Sequence, residues 1–394
     1  MTVFRERFYQ GCVSKVLPIS LLALLTGMFW VGDRSLYHKL YYAGMVLPTV
    51  LCLLARPASF TALWREPLLV LYSVFGLYTM VTLSWSPEPD AYSKLKHPLY
   101  ILFLFLALGA LAQCCMRRLV WSVAQAALLS IGFALMTLAL YWWQGTWPKR
   151  LGGMGALYNP LLTSHVYGFF AALWLAALAL DPQRWWWKSP ALAVLLVLLF
   201  LTGSRTPFMA LAACFCWLLL AINNRRVALI LLVLALLLGF GLACFESTLL
   251  ARGFSYRPLI WQEAWRQIGE AFWFGHGYDA DMRVVVDGLA RPLSDPHNLT
   301  LGVMYQTGVV GVALWLLLYG YCFWQAWRMR RHGLVIITST LLVYGFVAGM
   351  TEGSSFMSRP KEHWFLIWLP MALHFAALLR LGRTSSPQRS EHNH

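Results

Sequence analysis

Apolar stretches long enough to cross about 30 Å of hydrocarbon, at 1.5 Å of helix rise per residue, recur along almost the whole chain. They fall near 16–31, 40–55, 67–85, 98–114, 119–142, 161–180, 189–203, 207–222, 227–245, 309–327, 334–351 and 364–381. In lipid every backbone polar group must be satisfied within the protein, and runs of this length satisfy theirs as helices. The sequence therefore predicts an all-α integral membrane protein with about twelve transmembrane helices. Charged residues make up only 12% of the 394 and mean hydropathy is +0.61, against about 25% charged residues in soluble domains. Because few long gaps separate the runs, residues 1–394 read as a single membrane domain. The segment 246–297 is the one gap long enough for extramembrane substructure, and the tail 384–394 reads as disordered.

A formal charge of +15 raises nucleic acid as a partner. The basic residues, however, lie in short clusters between apolar runs and not along one amphipathic face, so they report topology and no nucleic acid is expected. With the N-terminus inside, seventeen Lys and Arg fall on the cytoplasmic side and nine in the short outer loops. By the positive-inside rule both termini are then cytoplasmic. The first run follows Arg5, Arg7 and Lys15 but lacks a small-residue cleavage site, so it reads as a retained helix. Eight scattered cysteines form no disulfide framework and no zinc spacing.

This orientation places the 143–160 loop, the Gly203–Pro207 turn and the segment 246–297 on one outer face. Within the long segment Trp261, Trp265, Ile268 and Phe272 recur at helical spacing opposite Gln262, Glu263, Arg266, Gln267 and Glu270, with Pro258 suited to a first turn. The pattern predicts a short amphipathic helix lying at the outer interface. A single helix from Asn298 to Trp327 would be about 45 Å long, which predicts a tilted or bent entry near Gly308 and Gly311.

Five residues on this face carry candidate chemistry. His297, in SDPHNLTLG, is placed where a neutral imidazole takes a proton from a hydroxyl; the plainer alternative is a helix-start histidine bonded to its own loop. Arg205, in LTGSRTPF, interrupts two apolar runs with almost no loop around it, so it either binds an anion in a polar cavity or snorkels to the interface. Arg257, in SYRPLIWQEAWRQ, sits near the free N–H groups of a helix start and reaches a phosphate there, or is a solvated surface group. Arg150 precedes Gly152, Gly153 and Gly155, which permit close backbone approach to a ligand without completing a nucleotide-binding pattern. Asn298 orients the histidine or caps the following helix.

Asp279, Asp281, Asp295, Glu263 and Glu270 read as solvated carboxylates. None forms a metal-ligand pair, and no cofactor motif is complete, so neither metal nor cofactor is expected. One base and several arginines on one face suit transfer from an activated, phosphate-bearing, lipid-anchored donor. The diphosphate leaves as the acceptor attacks, and arginines offset its growing charge.

At these residues the chain resembles the O-antigen ligase superfamily, the WaaL-type ligases and their Wzy-type polymerase relatives. The matching pieces are G-S-R-T around Arg205, R-x-x-x-W from Arg257 to Trp261, G-x-G at Gly275 to Gly277, and H-N at His297 and Asn298 followed by G-V-V-G from Gly308 to Gly311. Departures fall at Phe272, often proline, at His276, usually apolar, and at Gln306, often glutamate. The resemblance implies a metal-independent inverting glycosyltransferase of the GT-C type, with His297 catalytic and Arg205, Arg257, Arg150 and Asn298 binding substrate. The implied reaction moves a glycan from undecaprenyl diphosphate to a sugar hydroxyl of the lipid A core, at the periplasmic face of the bacterial inner membrane and among its lipids. Within the superfamily the alternatives are a polysaccharide polymerase and a protein O-oligosaccharyltransferase. From another class, a lipid-linked glycan flippase would carry charges along a route through both leaflets, whereas here the polar motifs collect on one side.

Overall fold

The computed structural model describes residues 2–222, 256–285 and 292–385, together with Leu229 and Leu232. Among them all regular structure is helical apart from one isolated bridge between Val284 and Leu293. The helices used below are α1 (Val3–Trp30), α2 (Arg34–Ala55), α3 (Pro67–Thr82), α4 (Lys96–Trp143), α5 (Pro160–Leu180), α6 (Trp185–Leu201), α7 (Thr206–Ala221), α8 (Arg257–Glu270), α9 (Leu299–Arg328), α10 (Gly333–Gly349) and α11 (Trp368–Ser385). Eight of them, α1 to α6 with α9 and α11, are long and apolar enough to cross a membrane, while α7 and α10 are apolar but shorter. A count of twelve requires dividing α4, including α7 and α10, and adding the run 227–245, which lies outside the described residues. So do residues 386–394; α11 runs on through Ser385, past the start expected for the disordered tail.

The 48 residues of α4 would reach about 72 Å if straight, more than twice the hydrocarbon thickness. At Cys115 the backbone leaves the helix, with φ −142° and ψ 47°, and the chain turns back beside Arg117 and Arg118. Two single π turns, Cys12–Val16 and Tyr42–Val46, precede Pro18 and Pro48. Proline has no N–H to give and crowds the carbonyl four residues back, and a wider turn accommodates both effects. Helix α5 forms the centre of the bundle: Ala171, Ala172 and Ala176 are fully buried, and their small side chains let neighbouring helices approach closely. On the outside Leu54, Leu77 and Leu220 are more than 60% exposed, the apolar exterior that lipid accepts and water does not.

Polar contacts gather at the two ends of the bundle. At one end Arg56 pairs with Glu6 at 2.6 Å and Cys114 Sγ donates to Gln10 Oε1 at 3.0 Å. The opposite end holds the pairs Arg34–Glu362 at 2.6 Å, Lys94–Asp279 at 2.7 Å and Arg257–Glu352 at 2.7 Å. His97, at the start of α4, belongs to this second end, where its Nδ1 meets Tyr278 Oη at 2.9 Å. Cys114 lies at the first, so residues 97–114 run from one end of the bundle to the other before the break at Cys115.

Helix α9 is broken at Gly308, where φ is +65°, a left-handed conformation that costs glycine little. The break leaves the N–H groups of Val309 and Val310 and the carbonyls of Tyr305 and Gln306 without helical partners. The segment 272–277 meets all four. Val309 N donates to Phe272 O at 2.9 Å and Val310 N to Trp273 O at 3.3 Å, while His276 N and Gly277 N donate to Tyr305 O and Gln306 O at 2.9 and 3.0 Å. Gly275 and Gly277 also have positive φ, and a Cβ on Gly308 would collide with the Trp273 carbonyl. The bend expected from sequence near Gly308 and Gly311 is thus a clasp between the G-x-G and G-V-V-G motifs.

Candidate active site

Pro258 opens α8, so Arg257 and Trp261 stand one turn apart on a common face. Arg257 Nη2 donates to Glu352 Oε1 at 2.7 Å, and Trp261 Nε1 donates to the Pro296 carbonyl at 3.1 Å. The R-x-x-x-W spacing ties one helix to two loops, the turn after α10 and the residue before His297. A helix forms over Arg257–Glu270, ending before Phe272, and it divides the apolar set that the sequence put on one face. Ile260, Ala264, Gln267 and Ile268 face inward, while Trp265 and Phe272 are 53% and 41% exposed. The exposed rings join Trp273 and Phe274 in an outward aromatic rim, in keeping with the helix at the outer interface that the sequence predicts.

Glu352 is 1% exposed. Its Oε1 accepts a second bond, from Thr206 Oγ1 at 3.0 Å, and the same hydroxyl lies 3.1 Å from Thr351 Oγ1. Thr206 opens α7 immediately after Arg205. One buried carboxylate therefore joins the G-S-R-T turn to Arg257. Burial raises the Glu352 pKa above the usual carboxylate range, against the opposing pull of Arg257 and Thr206. The exposed Arg205 sits at the edge of this junction. Arg150 braces it from the 143–160 loop: its Nε donates to the Thr202 carbonyl at 2.7 Å, beside the Leu151 N to Leu201 O bond at 2.9 Å.

His297 adopts φ +47°, a conformation uncommon outside glycine, although histidine enters it more readily than most residues. Asp295 accounts for that conformation. Its Oδ1 accepts the His297 backbone N–H at 2.7 Å and lies 3.1 Å from the ring Nδ1. A ring that gives its Nδ1 proton to a carboxylate presents an unprotonated Nε2. His297 is also near enough to Glu352 to act on its charge. Asn298, 5% exposed, caps α9 through a 3.1 Å bond to the Leu301 N–H. Beneath this layer the rings of His165 and His363 lie 5.8 Å apart, and Gly353, next to Glu352, passes so close to His363 that a Cβ would strike its Nε2.

The structure brings Arg205, Arg257 and His297 around Glu352, with Arg150 bracing from behind and Asn298 holding the helix start. Sequence reading missed Glu352 and Thr206 and took Asp295 for a solvated acid. Glu352 did carry a signal: it is a carboxylate directly after an apolar run, where a charge that is not paired is costly. Among the described residues no group of His, Cys, Asp and Glu is arranged to hold a metal ion.

A family model described as O-antigen ligase matches residues 190–316, a stretch that holds Arg205, Arg257, His297, Asn298 and both halves of the clasp but not Arg150 or Glu352. The chain is similar to an O-antigen ligase of Pseudomonas aeruginosa, 46% identical over 388 residues, which cover 95% of this chain and 94% of that protein. With that likeness running almost end to end, and with the superfamily motifs meeting around one buried carboxylate, the chain belongs to the O-antigen ligase family.

Proposed function

We propose that the chain transfers a glycan from undecaprenyl diphosphate to a sugar hydroxyl of the lipid A core, with inversion and in one displacement, at the periplasmic face. The observation that carries this reading is the Asp295–His297 pair, Nδ1 to Oδ1 at 3.1 Å, next to the Arg257–Glu352 pair at 2.7 Å. A base and a phosphate-binding cation at one mouth are what displacement of a diphosphate needs.

In this reading His297 Nε2 takes the proton of the acceptor hydroxyl as its oxygen attacks the anomeric carbon. The carbon–oxygen bond to the diphosphate breaks on the opposite face. Asp295 stabilises the imidazolium so formed. Arg257 and Arg205 meet the departing phosphates, with Arg257 held in place by Glu352 and the Arg205 turn held through Thr206. Arg150 supports that turn, and Asn298 fixes the helix start on which His297 rests.

The test is a reconstituted assay with lipid-linked glycan as donor and either lipid A core or a second lipid-linked glycan as acceptor. Transfer to the lipid A core by wild type, with a loss of about 10²–10⁴-fold in the single-turnover rate for His297→Gln at unchanged donor binding, supports the reading. Transfer only to the second lipid-linked glycan would replace the ligase with a polymerase, and lost donor binding would reassign His297 to the diphosphate.

A further inference from the structure

Beside the site lies a second, separate concentration of positive charge. A cavity of about 290 Å³ is lined by Arg34, Lys94, His97, Ser358, Arg359 and Lys361 among others. Four of these are cations from three distant parts of the chain. Two already have carboxylate partners, Arg34 with Glu362 at 2.6 Å and Lys94 with Asp279 at 2.7 Å. Among the described residues no carboxylate stands within ion-pair distance of Arg359 or Lys361.

Two further observations bear on what the cavity holds. Ser358 is 7% exposed and its Oγ has no hydrogen-bond partner, and the buried Arg34 Nε is likewise unpartnered. A buried polar atom without a partner costs free energy that a bound ligand recovers. Burial also pushes the Lys361 amine down to about 8, further than nearby Glu362 can offset. A cation kept in that condition gains from any anion that enters.

The ligand class follows from the donors. An arginine fork, an ammonium group and a hydroxyl lining one small cavity match the tetrahedral oxygens of a phosphate. The place follows from the chain path. Lys361 is coupled electrostatically to Asp295, the partner of His297, and Glu362 and His363 connect the cavity to the Glu352 turn.

We propose that this cavity binds a phosphate group carried by the acceptor lipid, apart from the arginines assigned to the donor diphosphate, and so sets which hydroxyl reaches His297. This rests on the transferase reading for its consequence but not for its binding. A phospholipid headgroup presents the same chemistry, and the experiment separates the two sources.

The probe is a phosphorylated glucosamine disaccharide lipid and its phosphate-free form, bound to the full chain in nanodiscs of zwitterionic lipid, without donor. The phosphorylated form should bind at least about tenfold more tightly to wild type. The double variant Arg359→Gln, Lys361→Gln should lose that preference and keep its affinity for the phosphate-free form. Repeating the measurement with anionic lipid added identifies the source: competition by anionic lipid assigns the site to headgroups and overturns the acceptor assignment, and its absence supports the acceptor. Equal wild-type affinity for both probes, or equal losses for both in the variant, would overturn the site. Because no donor is present, a failure of transfer leaves this result intact. In the transfer assay the variant should raise KM for the phosphorylated acceptor with kcat unchanged, which a folding defect would not do.

Discussion

Replacing Glu352 by glutamine keeps the shape of the buried junction and removes its charge. In the native chain Glu352 Oε1 accepts from Arg257 Nη2 at 2.7 Å and from Thr206 Oγ1 at 3.0 Å. The side chain of Glu352 is 2% exposed and that of Arg257 29%. Breaking a fully buried pair costs about 3–5 kcal/mol, but water reaches part of the guanidinium. The range for a hydrogen bond to a charged group, about 1.5–3 kcal/mol, is therefore the relevant one. If that energy holds Arg257 where the departing diphosphate needs it, kcat/KM for the donor should fall by about 10- to 150-fold, at about 1.4 kcal/mol per tenfold change. The assay is reconstituted transfer at varied donor concentration, with folding checked by thermal melting in detergent. Protonation removes the same charge as glutamine does. Wild-type transfer should thus fall on the acid side as Glu352 takes up its proton, at a pH above the usual carboxylate range, and the glutamine variant should lack that limb. Unchanged kcat/KM together with an unchanged pH profile would refute the linkage between Glu352 and Arg257.

Asp295→Asn should slow single-turnover transfer by at least about tenfold through loss of imidazolium stabilisation, and should leave donor binding intact; a wild-type rate would detach Asp295 from the chemistry. Gly308→Ala should sharply lower the yield of folded protein, because φ +65° and the Trp273 carbonyl leave no room for a Cβ, whereas Gly320→Ala, with open space around it, should melt like wild type. Lys361 carries a cost of burial that is full below its folded pKa of about 8 and is relieved as pH rises toward the unfolded value near 10.4. Lys361→Gln should therefore melt higher than wild type at pH 7, with the gap closing above about pH 10; a constant gap would count against the assignment. In a cysteine-free background, cysteines at Ala58 and Tyr92 should label from opposite sides of the membrane, since the structure places these residues at opposite ends of the bundle.

The spans were legible because their signal is local: length and hydropathy are enough to identify a helix in lipid, and a 48-residue helix is too long to cross once. Arg205 stood out as an interruption, a charge where lipid makes it costly, and Arg257 and His297 as candidates through the helix starts beside them. Glu352 did not, since its meaning depends on Arg257, 95 residues away, and nothing near it in sequence names that partner. Asp295 was misread for a different reason. Its bond to His297 spans two residues, but it depends on a left-handed turn that loop composition does not disclose. The apolar set along α8 was legible from its spacing, but its division between the buried Ile268 and the exposed Trp265 and Phe272 was not, because spacing alone does not say which side of a helix meets the bundle.

The clasp at Gly308 bears on how such a protein can be rebuilt. Its two halves, 272–277 and 305–310, meet through four backbone hydrogen bonds, so their fit depends on chain path and on glycines more than on side-chain identity. A chimera that grafts residues 278–304 from a relative, leaving both halves native, should keep its register and bring in that relative's own counterparts of Asp295 and His297. A graft whose joint falls inside either half would misalign both ends at once. Recombination between relatives should therefore succeed at joints just outside the clasp and fail at joints within it.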